Sequence, residues 1–171
     1  MERVRLTALL LLLTAEPEAP ETATLEKARF AGRWYEHARM PSFFQKGCTD
    51  TTATYTLNRD AEFDVVNRCI KDGAETKVSG TMWVDDEKVP GKLTLQIFWP
   101  IRSKLWVLER ADDYGWVLLG SPDRQKAWVF SRSPVLDEGL RTSLLAKLEA
   151  RGYPVKRLER VTHAADAGTA R

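Results

Sequence analysis

The residue types that most often carry chemistry are scarce in this chain. It has two cysteines, Cys48 and Cys69, and two histidines, His37 and His163. It contains no C-x-x-C pair, nucleophile elbow, metal-ligand cluster or phosphate-binding glycine loop. We therefore expect no catalytic residues, no metal, no cofactor and no enzymatic activity. An even cysteine count, together with the export signal described below, favours a disulfide between Cys48 and Cys69.

The composition is that of a soluble globular protein. The chain has 171 residues, which is enough for one domain with a sizeable core. Hydrophobic residues make up 43% and charged residues 29% of it. The net charge is +2 and the charges are scattered, so the sequence gives no argument for binding nucleic acid.

The two ends of the chain differ from its middle. In residues 1–15, Arg3 and Arg5 precede a nearly uninterrupted apolar run. This pattern is typical of a secretory signal peptide and predicts export to the periplasm or cell envelope; a short buried helix is the alternative. Residues 16–27 are rich in Pro, Glu, Ala and Thr and are predicted to be a linker. Residues 28–161 are predicted to form the domain, and residues 162–171 a flexible tail.

Between these ends, hydrophobic periodicity predicts strands followed by one helix. Eight short alternating segments, spaced about ten residues apart, are separated by turn residues. After them the period changes, because Asp137 is a good N-cap, leucines follow at helical spacing and Gly152 is a good terminator. Residues 153–161 are predicted to contain a short ninth strand. This order favours an all-β sandwich or barrel with a C-terminal helix.

The second and third strands are predicted to form a hairpin. If Tyr55 faces Phe63, then Asn67 falls on the same apolar face. Asn67 is therefore a candidate polar group inside a cavity, and a hydrogen-bonded structural asparagine is the alternative. In the same register Cys69 lies opposite Thr49, one residue from Cys48. A bulge or a strand end would correct this offset.

Several stretches, in this order and at these gaps, resemble the lipocalin family. They are residues 32–36 (GRWYE, containing the G-x-W signature), 53–57 (ATYTL), 66–69 (VNRC) and 127–134 (AWVFSRSP). The similarity is greatest to the branch of apolipoprotein D and the bacterial lipocalins. It implies an eight-stranded antiparallel up-and-down β-barrel with a C-terminal α-helix and a short ninth strand. It also implies that Trp34, after Gly32, packs at the closed end beneath Arg132.

The resemblance further implies that the barrel binds, transports or stores a small hydrophobic ligand, such as a fatty acid or lysophospholipid, in envelope lipid maintenance. The loop at residues 42–47 is expected to lie across the open end, as a ligand lid or a packed loop. We predict that Glu36 and Asn67 orient a head group or form hydrogen bonds in the cavity floor. Strand alternation predicts that the cavity is lined by Glu36, Ala38, Tyr55, Phe63, Val65, Asn67, Met82, Leu93, Leu95, Trp128 and Phe130.

Two other functions are compatible with the same barrel. One is a lipid-modifying enzyme, and the other is a structural envelope protein whose barrel is filled by its own side chains. Not all of Trp83, Trp99, Trp106 and Trp116 can lie inside, and an exposed cluster would mark a protein or membrane contact. No lipobox cysteine, the lipid-attachment site of many bacterial lipocalins, follows the apolar run. We expect a lipid ligand and a peripheral membrane contact, with monomer and dimer both open.

Overall fold

The computed structural model describes residues 18–165, so the predicted signal-like segment at residues 1–15 lies outside the described residues. Two 3-10 turns, Phe43–Gln45 and Val155–Arg157, accompany the regular elements. These elements are α1 (Lys27–Phe30), β1 (Gly32–Arg39), β2 (Thr49–Leu57), β3 (Phe63–Lys71), β4 (Ala74–Val84), β5 (Lys92–Gln96), β6 (Ser103–Arg110), β7 (Trp116–Gly120), β8 (Ala127–Ser131), α2 (Glu138–Ala150) and β9 (Glu159–Arg160).

The strands form a closed antiparallel barrel. Each strand from β1 to β7 pairs with the next in sequence, and β8 pairs with β1, so the sheet closes on itself. The short strand β9 pairs with β1. The predicted eight-stranded up-and-down barrel with a C-terminal helix and a ninth strand is confirmed. One end, which holds α1, is the closed end; the loops β1–β2, β3–β4, β5–β6 and β7–β8 surround the other.

The β2–β3 register differs from the predicted one by two residues. Tyr55 lies opposite Val65, and Leu57 lies opposite Phe63. Because side chains alternate with a period of two, this even shift leaves every side chain on its predicted face. An irregularity between Thr49 and Thr52 lies at the cysteine end of the hairpin, where a bulge or a strand end was expected.

The closed end is organised around Trp34, which is fully buried. The Arg132 guanidinium lies 3.7 Å from the centroid of the Trp34 ring, as predicted. Arg132 also donates hydrogen bonds to the carbonyls of Arg29, Ala31 and Arg33. Gly32 has a φ of 105°, and a Cβ there would lie 3.1 Å from Arg132 Nη1. Glycine therefore satisfies both the backbone conformation and the close approach of the arginine.

A bulge in β1 changes which residues face the interior. The pairing of β1 with β8 shifts between Glu36 and Ala38. Ala38 consequently joins the outer core, where it is clustered with Leu144 and Leu148 of α2. The predicted interior position of Ala38 is therefore wrong, because a one-residue insertion inverts the alternation beyond it. Strict alternation from Glu36 would place Arg39 on the outer face, but by the same inversion Arg39 reaches the side chain of Glu36.

The described residues on both flanks of the predicted domain pack against the barrel. Leu25, predicted to lie in a linker, is buried in the closed-end core. Ala23 N donates to Val107 O at 2.8 Å, which ties this segment to β6. Beyond residue 161, His163 is buried and its Nε2 lies 2.8 Å from the carbonyl oxygen of Glu36. Ordered packing therefore begins before residue 28 and continues past residue 161.

We expect Trp34→Ala to lower the free energy of unfolding by about 3–5 kcal/mol, because it empties a fully buried site under Arg132. Urea-induced unfolding measures the effect. Trp99→Ala is the matched control, since Trp99 is 85% exposed and its loss should change stability by less than about 0.5 kcal/mol. Equal stability of Trp34→Ala and the wild type would contradict the structural role of Trp34.

Candidate functional site

A cavity of about 510 Å³ occupies the barrel between its midpoint and its open end. This volume is within the range of pockets that bind small molecules. Six of the eleven residues predicted to line it do so. They are Glu36, Tyr55, Asn67, Leu95, Trp128 and Phe130.

Four other predicted lining residues face the barrel interior but lie below the cavity. Phe63, Val65, Met82 and Leu93 are buried in the closed-end core. Phe30, from α1, fills this level, with its ring centroid 4.9 Å from that of Tyr55 and 5.7 Å from that of Phe63. These four residues form the packed floor, so their predicted contact with the open cavity is wrong.

Some wall residues were missed by the sequence reasoning. Leu105 lines the cavity. Because β6 is apolar on both faces, its sequence does not indicate which of its side chains face the barrel interior. Phe44, Phe98 and Ile101 also line the cavity and come from loops, where strand periodicity does not apply. For this part of the site, the sequence indicated the loop at residues 42–47, which contains the adjacent aromatics Phe43 and Phe44.

A buried ion pair lies at the cavity base. Glu36 Oε1 accepts a hydrogen bond from Arg39 Nη1 at 2.8 Å, and each side chain is only 4% exposed. Arg39 Nη2 donates to the carbonyl of Gln45 at 2.8 Å, and Gln45 Nε2 lies 3.5 Å from both Glu36 carboxylate oxygens. This pair therefore connects the cavity base to the β1–β2 loop. Arg39 was missed because alternation without the bulge placed it outside.

Burial raises the pKa values of both acidic groups at the cavity base. Burial raises the pKa of Glu36, although the hydrogen bond and charge of Arg39 oppose the rise. Burial and the nearby Glu36 charge raise the pKa of the Tyr55 hydroxyl. Tyr55 therefore stays protonated at neutral pH, and its hydroxyl remains a hydrogen-bond donor.

The mouth of the cavity is fixed on one side by a disulfide. Cys48 and Cys69 are bonded, as expected, and both border the cavity. Their separation of 21 residues predicts a stabilisation of about 3 kcal/mol from the closed loop. Since Cys48 ends the β1–β2 loop and Cys69 lies in β3, the bond holds that loop to the barrel wall.

The charged residues that line the upper wall are basic. Arg68, Lys71 and Lys126 border the mouth, and Arg68 is paired with Glu75 at 3.0 Å. Asn67 is partly buried on the cavity wall below them, where sequence alternation placed it. Its part in orienting a ligand head group stays a prediction.

Neither a metal centre nor a membrane-spanning helix emerges from residues 18–165. Within that range, no three His, Cys, Asp or Glu residues are grouped so as to hold a metal ion. No helix in the same range has the length and apolar character needed to cross a bilayer.

The barrel is closed and antiparallel, with a packed floor, an open cavity and an arginine over the first-strand tryptophan. These features define a lipocalin-like domain, and residues 25–163 match the family model described as a lipocalin-like domain. The chain is 32% identical over 157 residues to Temperature-induced lipocalin-1 of Arabidopsis thaliana, covering 86% of this chain and 84% of that protein. It is 27% identical over 157 residues to Outer membrane lipoprotein Blc of Citrobacter freundii, covering 88% of this chain and 89% of that protein.

Insecticyanin from the tobacco hornworm Manduca sexta has the same fold, with a TM-score of 0.69, 20% identity and coverage of 88% of this chain and 87% of that one. The chain therefore belongs to the lipocalin family, whose members bind small hydrophobic ligands. Blc proteins and apolipoprotein D are both among its relatives, so the predicted branch is confirmed.

We expect the Glu36→Gln variant to change the pH dependence of stability. Because burial raises the folded-state pKa of Glu36, the stability from this group is fully present below the unfolded pKa and is lost as pH rises through the folded pKa. The free energy of unfolding of the wild type, relative to Glu36→Gln, should therefore fall as pH rises above about 4.5.

Urea unfolding of both proteins across a pH series measures this difference. Exposed Glu149→Gln is the matched control, and its profile should run parallel to that of the wild type. A Glu36→Gln profile that is also parallel to the wild type would contradict the raised pKa.

Proposed function

We propose that this protein binds and carries one small hydrophobic or amphiphilic lipid, such as a fatty acid or lysophospholipid, in its barrel cavity. The observation that carries the proposal is the open cavity of about 510 Å³ with apolar walls. This volume favours carriage over a structural role with a filled barrel. Membership of a family that binds small hydrophobic ligands supports the same conclusion.

The wall chemistry supports one orientation of the ligand. The side chains of Leu95, Leu105 and Phe130 offer an apolar surface for an acyl chain. At the mouth, Lys71 and Lys126 offer positive charge. An amphiphile therefore binds with its chain toward the base and its head group at the mouth, and an anionic head group is favoured.

Within this orientation, the two polar residues predicted to serve the ligand have different roles. The Glu36 carboxylate is already engaged by Arg39 and by Gln45, so it closes the cavity base. Asn67 lines the cavity wall next to Arg68 in sequence, which supports a role for its amide in bonding a polar group of the ligand.

We place this activity in the cell envelope, in the maintenance of membrane lipids. The predicted signal-like segment at residues 1–15 supports export. The relatives named outer membrane lipoprotein Blc support an envelope location as well.

We expect Trp128→Ala to weaken binding of a fluorescent fatty acid by about tenfold or more, because a large apolar contact worth about 1.5 kcal/mol or more is removed from the cavity wall. Displacement of the probe by lysophospholipid measures the affinity. Trp116→Ala is the matched control, since Trp116 packs in the outer core with α2. Unchanged affinity in Trp128→Ala would show that the ligand lies elsewhere.

Native mass spectrometry tests whether a lipid occupies the cavity. We expect the purified wild type, incubated with oleate and lysophosphatidylcholine, to carry one lipid per chain. Leu95→Trp should lose this adduct, because the larger side chain occupies the cavity. A wild type that carries no lipid would contradict the proposed function.

A further inference from the structure

The open end of the barrel carries a cluster of exposed apolar side chains. Phe43 is 86% and Trp99 85% exposed, and Phe44, Phe98 and Ile101 are each more than half exposed. We call these five residues the aromatic rim. Single exposed apolar residues are ordinary, but a contiguous patch marks an interaction surface.

The aromatic rim is one surface built from two loops that are distant in sequence. Residues 42–47 connect β1 to β2, and residues 97–102 connect β5 to β6. The ring centroids of Phe44 and Phe98 are 6.0 Å apart, and those of Phe43 and Phe44 are 5.8 Å apart. The loops also flank the cavity mouth, since Phe44, Phe98 and Ile101 contribute to its wall.

Contacts with the barrel hold the β1–β2 loop in the conformation that exposes its two phenylalanines. Arg39 Nη2 donates to the carbonyl of Gln45, which is in the same 3-10 turn as Phe43 and Phe44. Three residues later, the Cys48–Cys69 disulfide fixes the loop to β3. The turn is therefore braced with its two phenylalanines outward.

The charges of the two loops are of one sign. Residues 42–47 contain Lys46, and residues 97–102 contain Arg102; neither loop contains Asp or Glu. Both cationic residues are exposed. Aromatic side chains favour the interfacial zone of a bilayer, and each nearby Lys or Arg adds about 1 kcal/mol of attraction to an anionic lipid surface. A patch that is aromatic and basic therefore complements an anionic membrane.

We infer that the aromatic rim docks the barrel, mouth toward the lipid, on the surface of an anionic membrane. This inference rests on the proposed function, because docking at the mouth brings the cavity to the source and destination of its ligand. A protein partner or a second copy seated on the rim would instead cover the mouth. Docking is shallow and reversible, since the rim consists of side chains on two short loops.

Co-sedimentation with vesicles tests the apolar part of this surface. We expect wild type to bind vesicles of equimolar phosphatidylcholine and phosphatidylglycerol, and Phe43→Ser/Trp99→Ser to partition at least tenfold less. These two residues do not border the cavity, so displacement of a fluorescent fatty acid in vesicle-free solution should be unchanged. Leu57→Ser is the matched control, because Leu57 is 40% exposed at the closed end, and it should bind vesicles like wild type.

A second pair of variants tests the charge. Lys46→Glu/Arg102→Glu should bind the anionic vesicles at least tenfold less tightly than wild type. Arg59→Glu/Lys88→Glu changes the net charge equally at exposed positions in closed-end turns, and it should bind like wild type. Binding of wild type to anionic vesicles should also weaken as salt is added.

Other results would overturn the inference. Wild type that does not sediment with anionic vesicles, or Phe43→Ser/Trp99→Ser that binds as well as wild type, would remove the membrane role. A wild-type dimer in light scattering that Phe43→Ser/Trp99→Ser converts to monomer, without vesicle binding by either, would assign the rim to a second copy. If wild type binds vesicles but the fluorescent fatty acid assay detects no ligand binding, the proposed function is overturned and docking still stands.

Discussion

The contact of Arg132 with Trp34 is the constraint on which the rest of the barrel depends. The guanidinium covers the indole at 3.7 Å and bonds to carbonyls around α1 and the start of β1. Since Arg132 directly follows β8 and Trp34 lies in β1, the contact joins the first and last barrel strands where the sheet closes. It also holds α1, and with it the Phe30 ring, inside the closed end. A fixed floor at this level leaves the remaining interior free for a ligand.

The β1 bulge organises the opposite half of the barrel. By turning Ala38 outward, it gives α2 a small side chain to pack on. By turning Arg39 inward, it supplies the cation that neutralises Glu36 at the cavity base and braces the loop that carries Phe43 and Phe44. A buried carboxylate without such a partner would be strongly destabilising. One extra residue therefore connects the base of the cavity with the surface around its mouth.

The two ends of the barrel therefore differ in their chemistry. The closed end is a packed core of the kind that tolerates little change in volume. The open end combines an apolar cavity, basic side chains and exposed aromatic residues. Within residues 18–165, the exposed aromatic side chains all lie beside the entrance to the cavity. This juxtaposition is the basis on which we propose both carriage of a lipid and contact with a lipid surface.

By local periodicity alone, the sequence determined the succession of short strands and the C-terminal helix, and the even cysteine count favoured the Cys48–Cys69 pairing. The closed barrel and the Trp34–Arg132 contact were implied by the resemblance of short motifs to the lipocalin family. Alternation also determined which side of the sheet most residues occupy, but not their depth. Whether Phe63 or Tyr55 borders the cavity depends on how far Phe30 fills the interior, which only the tertiary structure decided. The bulge and the aromatic rim were likewise decided there, because strand pairing and the meeting of two distant loops are not local properties.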